Sequence, residues 1–230
     1  MKYPVLLIDL DGTIHDYLSA AAMAKSALVQ AIAGHFHIVA EEVLRTYDEI
    51  RDKTDWHEFC SGHAMRTTRI KLLLNAWPVS SDTEPKLWVD LFSHAYLQAL
   101  QPFPDALQTI RLWHSQGRQM AIVTEGFADI QRAVITTLNK AGLVDLPVII
   151  SKELGVTKQD GSAIVQALNL LNAKAENAVM MGDNWTLDIL PAAQLGVAQI
   201  WISQQALPAN IPANFLGIAC SLEEANCLLV

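Results

Sequence analysis

Short runs of consecutive apolar residues recur along this chain, and several of them end abruptly in small or acidic residues. The first run covers residues 5–8 and is followed by Asp9, Asp11, Gly12 and Thr13. An apolar run without polar alternation is typical of a strand buried on both faces, as in a parallel sheet flanked by helices. The two acids therefore follow the carboxyl end of a strand, which is where open α/β sheets bind ligands.

The second half of the chain alternates apolar runs with amphipathic stretches. Strands are predicted at residues 120–124, 147–150, 178–182 and 197–202, and helices at about residues 105–116, 128–140, 164–171, 188–195 and 222–229. We expect Asp105 to cap the first of these helices, and residues 151–161 and 203–214 to form loops. Strands that alternate with helices predict an α/β fold with a doubly wound parallel sheet.

Residues 16–100 do not follow this alternation. They contain few β-branched clusters, and apolar residues such as Ala24, Leu28 and Ile32 recur at helical spacing. Breaks between helices are predicted at Gly34, Thr54–Asp55, Gly62, Pro78 and Ser80–Asp82. The pattern predicts an all-helical domain inserted at residues 16–100 into an α/β domain formed by residues 1–15 and 101–230.

Composition and charge narrow the possible partners. The chain has 230 residues, of which 51% are hydrophobic and 17% charged, enough for one sizeable core and a smaller second domain. Its net charge of -8 and pI near 5.3 argue against nucleic acid or an anionic membrane as a partner. A small anion would need a local metal ion or lysine to be held.

The cysteines and the lack of long apolar segments bear on location. Cys60, Cys220 and Cys227 form no CxxC pair, which favours inert, buried thiols in a reducing compartment over a disulfide framework or a zinc site. No apolar segment reaches the length of a signal peptide or a membrane span. We therefore expect a cytoplasmic protein, present as a monomer or a homodimer.

The first acidic pair has chemical consequences of its own. Strand residues two apart project to the same side, so a turn at Gly12 can hold Asp9 and Asp11 near one point. Two carboxylates this close do not both ionise freely, so either a metal ion lies between them or one stays protonated. A metal-held carboxylate can act as a nucleophile, and a protonated one as a general acid. For this motif alone, a solvated acidic turn hinged at Gly12 is the alternative.

Further polar residues follow the later strands. They are Thr124, Glu125 and Gly126 after the second strand, Lys158 before the next helix, and Gly182, Asp183 and Asp188 after the fourth strand. Acids that converge from separate strand ends suit Mg²⁺, which prefers oxygen ligands and keeps several waters. The alternative for Asp188 is a carboxylate that stabilises the N-terminus of a helix.

The segment from Asp9 to Thr13 resembles the first motif of the haloacid dehalogenase-like (HAD) hydrolases, most of which are magnesium-dependent phosphatases that work through an aspartyl-phosphate. Thr124, Lys158 and the acids of residues 182–188 resemble the other three motifs, in the right order. Glu125 stands where the family often has Asn, and Gln159 where it has Pro. The resemblance covers essentially the whole chain and implies a Rossmann-like core, with residues 16–100 as a C1 cap that closes over the site.

The resemblance also implies roles for individual residues. Asp9 would be the nucleophile and Asp11 the acid that protonates the leaving oxygen and later activates water. The phosphoryl group would be held by Thr124, Glu125, Gly126 and Lys158, and Mg²⁺ by Asp9, the Asp11 carbonyl and Asp183. Gly12, Thr13, Gly182 and Asp188 would support these groups. The substrate would be a small phosphorylated metabolite.

Several choices stay open at this stage. Lys152 could replace Lys158 in the site by reach alone, although Lys158 has the family's position relative to the following helix. Rival functions are a sugar-phosphate phosphomutase, a haloacid dehalogenase, against which Asp11 argues, and a binding protein without activity. Possible substrate contacts in the helical domain are Trp56, His57, His63, Arg66, Arg69 and Lys71, most of which we expect on the surface or in packing. His15 is near the site but could equally be a loop residue that forms hydrogen bonds.

Overall fold

A computed structural model describes residues 2–77 and 84–229 of the chain. Its strands are β1 (Val5–Ile8), β2 (Gln119–Thr124), β3 (Val148–Ile150), β4 (Ala178–Gly182), β5 (Ala198–Ile202) and β6 (Phe215–Ala219). Its α-helices are α1 (Tyr17–Phe36), α2 (Ala40–Lys53), α3 (Gly62–Leu74), α4 (Pro85–Ala99), α5 (Ala106–Ser115), α6 (Ala128–Lys140), α7 (Ser151–Leu154), α8 (Ser162–Leu170), α9 (Leu190–Gln194) and α10 (Leu222–Cys227). The predicted breaks at Pro78 and at Ser80–Asp82 lie outside the described residues.

The strands form one parallel sheet in the order β3-β2-β1-β4-β5-β6. The chain thus begins in the middle of the sheet, builds outward to β3, and then returns to the other side of β1 with β4. This is the doubly wound arrangement, so the predicted fold class is confirmed. The strand order reverses between β1 and β4, and Asp9 and Asp183 follow these two strands. Ligands bind at such a switch point in open α/β sheets.

The central strands are buried on both faces, as their continuous apolar sequence predicts. Leu6 and Ile8 are fully buried on one face of β1, and Leu7 is fully buried on the other. Leu7 belongs to a hydrophobic cluster that includes Ile164 and Leu168 of α8. Burying one such side chain contributes about 1.5–3 kcal/mol, which anchors the strand from which Asp9 emerges.

The chain divides into two compact units. The sheet unit consists of the residues up to Asp16, Gln101–Gly126 and the residues from Ile135 onward, and the helical unit consists of Tyr17–Leu100 and Phe127–Val134. In the helical unit α1 packs on α2 and α4, and α3 packs on α2 and α4. The first turns of α6 belong to this unit because the Asp129 carboxylate accepts hydrogen bonds from the backbone N–H groups of Gly62 and His63.

One expectation about helix ends is wrong, and a second is met only in part. Gly34 does not break a helix but lies within α1 on an exposed position, where the cost of about 1 kcal/mol relative to alanine is tolerated. The chain turns instead near His37, which adopts a positive φ of 55°. Asp105 is the N-cap residue of α5, as predicted, but its side chain makes no capping bond. Its Oδ2 instead accepts a hydrogen bond from the backbone N–H of Glu223.

Two short elements were missed. Residues 151–161, expected as a loop, begin with the single helical turn α7, which Gly155 ends in the left-handed conformation at φ 65°. Strand β6 pairs with β5 at the sheet edge. Its residues are mostly half-buried, and Gly217 interrupts the apolar run at φ 155°, so no continuous hydrophobic signal marks it.

The cysteines are free, as expected, but Cys60, Cys220 and Cys227 are exposed and not buried as predicted. Each lies in a loop or at the end of an element, where packing does not cover the thiol. No helix in the described parts of the chain combines the length and the apolar character needed to cross a membrane.

Candidate active site

Asp9 is the central group of the site. Its backbone N–H donates to the Met181 carbonyl at 2.9 Å, so the residue continues the pairing of β1 with β4. Its side chain is almost fully buried. One carboxylate oxygen, Oδ2, accepts a hydrogen bond from the Thr13 hydroxyl at 3.0 Å, and Oδ1 accepts one from Lys158 Nζ at 2.5 Å. These two contacts fix the orientation of the carboxylate.

The turn after Asp9 requires glycine at position 12. Gly12 has a φ of +84°, and a Cβ atom there would collide with the carboxylate of Asp183. Gly182 is constrained in the same way, because a Cβ atom would collide with the carboxylate of Asp188. Both glycines therefore let acids from the loop after β4 approach the backbone closely.

Asp11 contacts a histidine of the same turn. His15 is fully buried, and its Nε2 lies 2.7 Å from Asp11 Oδ1. The structure thus gives His15 the hydrogen-bonding role that was one of its two sequence interpretations. Asp11 is only partly buried, so its carboxyl group is accessible to solvent. This is a suitable arrangement for exchanging a proton with a bound molecule.

Lys158, and not Lys152, is the lysine that lies in the site. Its ammonium group is buried and lies 2.5 Å from both Asp9 Oδ1 and Asp188 Oδ1. Burial alone would lower the pKa of Lys158, but the Asp188 and Asp9 carboxylates outweigh this effect and hold the pKa above its ordinary value. Lys158 therefore stays positively charged. Lys152 lies in α7.

The carboxylates of Asp9, Asp183 and Asp188 converge, with one oxygen of each lying within 4.8 Å of the others. Lys158 supplies one positive charge against these three groups, so negative charge is in excess. Burial and the neighbouring Asp9 charge raise the pKa of Asp183 to about 6, and burial raises the pKa of Asp9 despite the opposing Lys158. Three oxygen donors with excess negative charge fit a hard divalent cation.

The loop after β4 is held by contacts that the sequence did not reveal. The Asn184 side chain accepts hydrogen bonds from the backbone N–H groups of Thr186 and Leu187, which begins the π-helical turn Trp185–Ile189. The indole N–H of Trp201 donates to the Asp183 carbonyl at 2.8 Å. Trp201 pairs with Gly182 across β4 and β5, so only the strand order could have disclosed this contact.

Thr124 ends β2, next to β1, and its residue is fully buried. Its hydroxyl has no hydrogen-bond partner among the described residues. A buried hydroxyl without a partner is costly, which suits a position where a ligand oxygen binds. The neighbouring Gly126 N–H, a predicted phosphate contact, donates to Ser151 Oγ at 3.3 Å. Ser151 was not identified from the sequence.

Glu125, which stands where the resembled family often has Asn, makes a structural contact. Its Oε2 accepts a hydrogen bond from the backbone N–H of Lys158 at 2.9 Å. Glu125 therefore fixes the loop that carries the lysine.

The candidates in the helical unit differ in environment. His57, His63 and Lys71 are exposed, whereas Trp56, Arg66 and Arg69 are partly buried. Trp56 packs edge to face on Phe127, with ring centroids 5.6 Å apart. Arg66 lines a cavity within this unit.

The sequence was compared with family models and with known proteins. Residues 3–196 match the model of the haloacid dehalogenase-like hydrolases. A relative from Methanopyrus kandleri, a glyceraldehyde 3-phosphate phosphatase, is 29% identical over 91% of this chain and 88% of its own length.

Solved structures that share the fold include the following two. The HAD hydrolase YfnB of Bacillus subtilis, described bound to magnesium, superposes with a TM-score of 0.71 at 21% identity, over 100% of this chain and 99% of its own. A 2-haloacid dehalogenase of Pseudomonas syringae pv. Tomato gives 0.71 at 23% identity, over 98% of this chain and 97% of its own. At these identities the two structures establish the architecture only.

Proposed function

This chain belongs to the haloacid dehalogenase-like hydrolase family, and we propose that it is a magnesium-dependent phosphatase of a small phosphorylated metabolite. The observation that carries the proposal is the buried Asp9 carboxylate, which Thr13 and Lys158 orient at the switch point of the sheet. The phosphatase from Methanopyrus kandleri, similar over most of both chains, supports the same activity.

Asp9 is the nucleophile in this proposal. Its carboxylate attacks the phosphorus atom, an aspartyl-phosphate bond forms, and the ester P–O bond breaks. The charge on Lys158 lowers the repulsion between the anionic nucleophile and the anionic ester. The Thr13 hydrogen bond to Oδ2 keeps the carboxylate from rotating, which favours a productive approach.

The phosphoryl oxygens are held by Thr124 and Lys158. The Thr124 hydroxyl lacks a protein partner among the described residues and can donate to a phosphoryl oxygen. Donors fixed in advance stabilise developing charge without a reorganisation cost, which is the largest electrostatic contribution in many enzymes.

Asp11 transfers protons in this mechanism. It protonates the leaving oxygen, and as a carboxylate it then takes a proton from the water that hydrolyses the aspartyl-phosphate. The contact between His15 Nε2 and Asp11 Oδ1 fixes one oxygen of the Asp11 side chain. A carbon-halogen hydrolase needs no acid at this position, which argues against the dehalogenase alternative.

Mg²⁺ would be held by Asp9, Asp183 and the Asp11 carbonyl. The excess of carboxylates over cations among Asp9, Asp183 and Asp188 supports a bound divalent ion. When bound, the ion would supply positive charge to the phosphoryl oxygens. We further propose that the helical unit is the cap domain that determines the choice of substrate.

The proposal is tested with purified enzyme and p-nitrophenyl phosphate. We expect hydrolysis that requires Mg²⁺, stops with EDTA and returns when Mg²⁺ is added in excess. Asp183→Ala should raise the Mg²⁺ concentration that is required, whereas Asp145→Asn, at an exposed loop position, should match the wild type. Activity that resists EDTA would remove the magnesium role, and chloride release from a 2-haloacid without phosphatase activity would establish the dehalogenase alternative.

A further inference from the structure

The helical unit contains a cavity of about 130 Å³ that plays no part in the mechanism above. Its lining includes His63, Arg66, Ser93, Tyr96, Asp129 and Ile130. The cavity combines one guanidinium group with polar and aromatic side chains. Its volume is sufficient for a group of the size of a carboxylate or a phosphate.

Arg66 is the distinctive group in this lining. Its Nη1 donates to Ser93 Oγ at 3.0 Å, and the guanidinium carbon lies 5.0 Å from the ring centre of Phe92 and 5.7 Å from that of Tyr96. No carboxylate of the described residues lies within ion-pair distance of it. A guanidinium has five N–H donors, so most of its hydrogen-bonding capacity is unused by these contacts.

The direction of the pKa shift of Arg66 agrees with this geometry. Burial lowers the pKa of Arg66 below its ordinary value, although Tyr96, Tyr47 and Asp129 partly oppose the effect. Aromatic faces and a hydroxyl stabilise a cation less than a contacting carboxylate does. The charge is thus partly removed from water without a matching anion.

Asp129 is the acidic residue of the cavity lining, and its carboxylate is engaged elsewhere. Its two oxygens accept hydrogen bonds from the backbone N–H groups of Gly62 at 2.9 Å and His63 at 2.8 Å, at the start of α3. The positive end of the α3 dipole compensates part of its charge. The repulsion that Asp129 exerts on an entering anion is correspondingly reduced.

We propose that this cavity binds a small anionic group, a carboxylate or a phosphate, through the guanidinium of Arg66. Planar guanidinium groups bind both kinds of anion through two parallel hydrogen bonds. The anion has two possible sources. It is either a second acidic group on the substrate, which rests on the proposed phosphatase function, or a free anion that binds the helical unit independently.

Binding is tested directly by nuclear magnetic resonance with sulfate as the probe. Arg66→Lys identifies the Arg66 side-chain Nε signal by its disappearance, and the wild-type, metal-free protein is then titrated with sulfate. We expect a saturable shift of this signal, and the same shift in Lys71→Met, which changes an exposed residue of the same helix. An Arg66 signal that does not respond to sulfate overturns the proposal.

The source of the anion is decided by kinetics with 3-phosphoglycerate and glycerol 3-phosphate, which differ by a carboxylate in place of a hydroxymethyl group. If the substrate carries the anion, Arg66→Met lowers the ratio of kcat/KM for 3-phosphoglycerate to kcat/KM for glycerol 3-phosphate roughly tenfold to a hundredfold. Arg66→Lys should give an intermediate ratio, and Lys71→Met the wild-type ratio. An unchanged ratio in Arg66→Met, together with a sulfate-dependent shift, assigns the site to a free anion.

These two experiments also separate the inference from the proposed function. If the enzyme hydrolyses none of the phosphate esters in the presence of Mg²⁺, the phosphatase proposal fails. The sulfate titration does not depend on turnover, so it still decides whether the cavity binds an anion.

Discussion

The candidate active site and the cavity of the helical unit each hold a positive charge that is at least partly removed from water. They differ in whether carboxylates contact that charge. Lys158 lies 2.5 Å from two carboxylates, those of Asp9 and Asp188. Arg66 has a hydroxyl and two aromatic faces as its contacts. The charge of Lys158 has contacting carboxylates before any ester binds, whereas the charge of Arg66 has none among the described residues.

The largest effect expected from this comparison is on catalysis at Lys158. Lys158→Ala should lower kcat/KM a hundredfold or more, because it removes charge that stabilises the transition state. Lys152→Ala, in the neighbouring helix α7, should change kcat/KM less than about twofold. Steady-state kinetics with p-nitrophenyl phosphate measure both. A larger loss in the Lys152 variant would show that the wrong lysine has been assigned to the site.

The next effect concerns stability and compares the two buried charges directly. Lys158→Met leaves Asp9 and Asp188 buried without their cation, which should lower the free energy of unfolding by about 3 kcal/mol. Arg66→Met replaces a cation that has no contacting carboxylate by an apolar side chain, so the change should stay within about 1 kcal/mol. Urea denaturation of the metal-free proteins measures both values.

The stability of the Arg66 variant can contradict this contrast. If Arg66→Met destabilises the protein as much as Lys158→Met does, the guanidinium is compensated in the free protein. The distinction between the two regions would then not hold, although the sulfate titration would still decide anion binding.

A smaller effect is expected at Thr124. Thr124→Val keeps the shape of the side chain and removes the hydroxyl without a partner, so kcat/KM should fall about tenfold. Thr124→Ser restores the hydroxyl and should recover most of the activity. If valine is as active as threonine, the hydroxyl does not contact the phosphoryl group.

The smallest effect is the pH dependence of stability at Asp183. Its pKa is raised to about 6 in the folded, metal-free protein from an ordinary 3.8, so the folded state binds the proton more tightly than the unfolded state. The free energy of unfolding therefore falls as the pH rises from about 4 to about 6. Asp183→Asn lacks this titration and should gain about 1–2 kcal/mol relative to wild type across that window. Denaturation in EDTA at several pH values tests this, and a constant difference would contradict it.

The two regions also differ in how far their sequence predicted them. In the sheet unit, apolar runs that end in Asp9, Thr124 and Gly182 mark strand ends, and parallel strands bring their carboxyl ends to one edge. Lys158 was preferred to Lys152 because it has the position of the lysine in the resembled family, just before the following helix. Local pattern and the family resemblance pointed to the same residues.

Other contacts could not be predicted because they depend on the order in which strands and helices are arranged. Trp201 reaches the Asp183 carbonyl only because β5 lies beside β4, and Ser151 meets Gly126 only because β3 lies beside β2. In the helical unit, Arg66 and Lys71 are both basic residues of α3, and the sequence pattern does not distinguish their environments. Only packing makes one line a cavity and leaves the other exposed.

The central claim, that Asp9 is a phosphorylated nucleophile, is tested by trapping the intermediate. Asp11→Asn is mixed with Mg²⁺ and p-nitrophenyl phosphate, whose leaving group needs no protonation, and the reaction is stopped with acid. Because this variant lacks the base that activates water, mass spectrometry should find one phosphoryl group per protein, on the peptide that contains Asp9. The double variant with Asp9→Asn should carry none. A phosphoryl group that persists in the double variant, or turnover by Asp11→Asn without any adduct, would contradict the account.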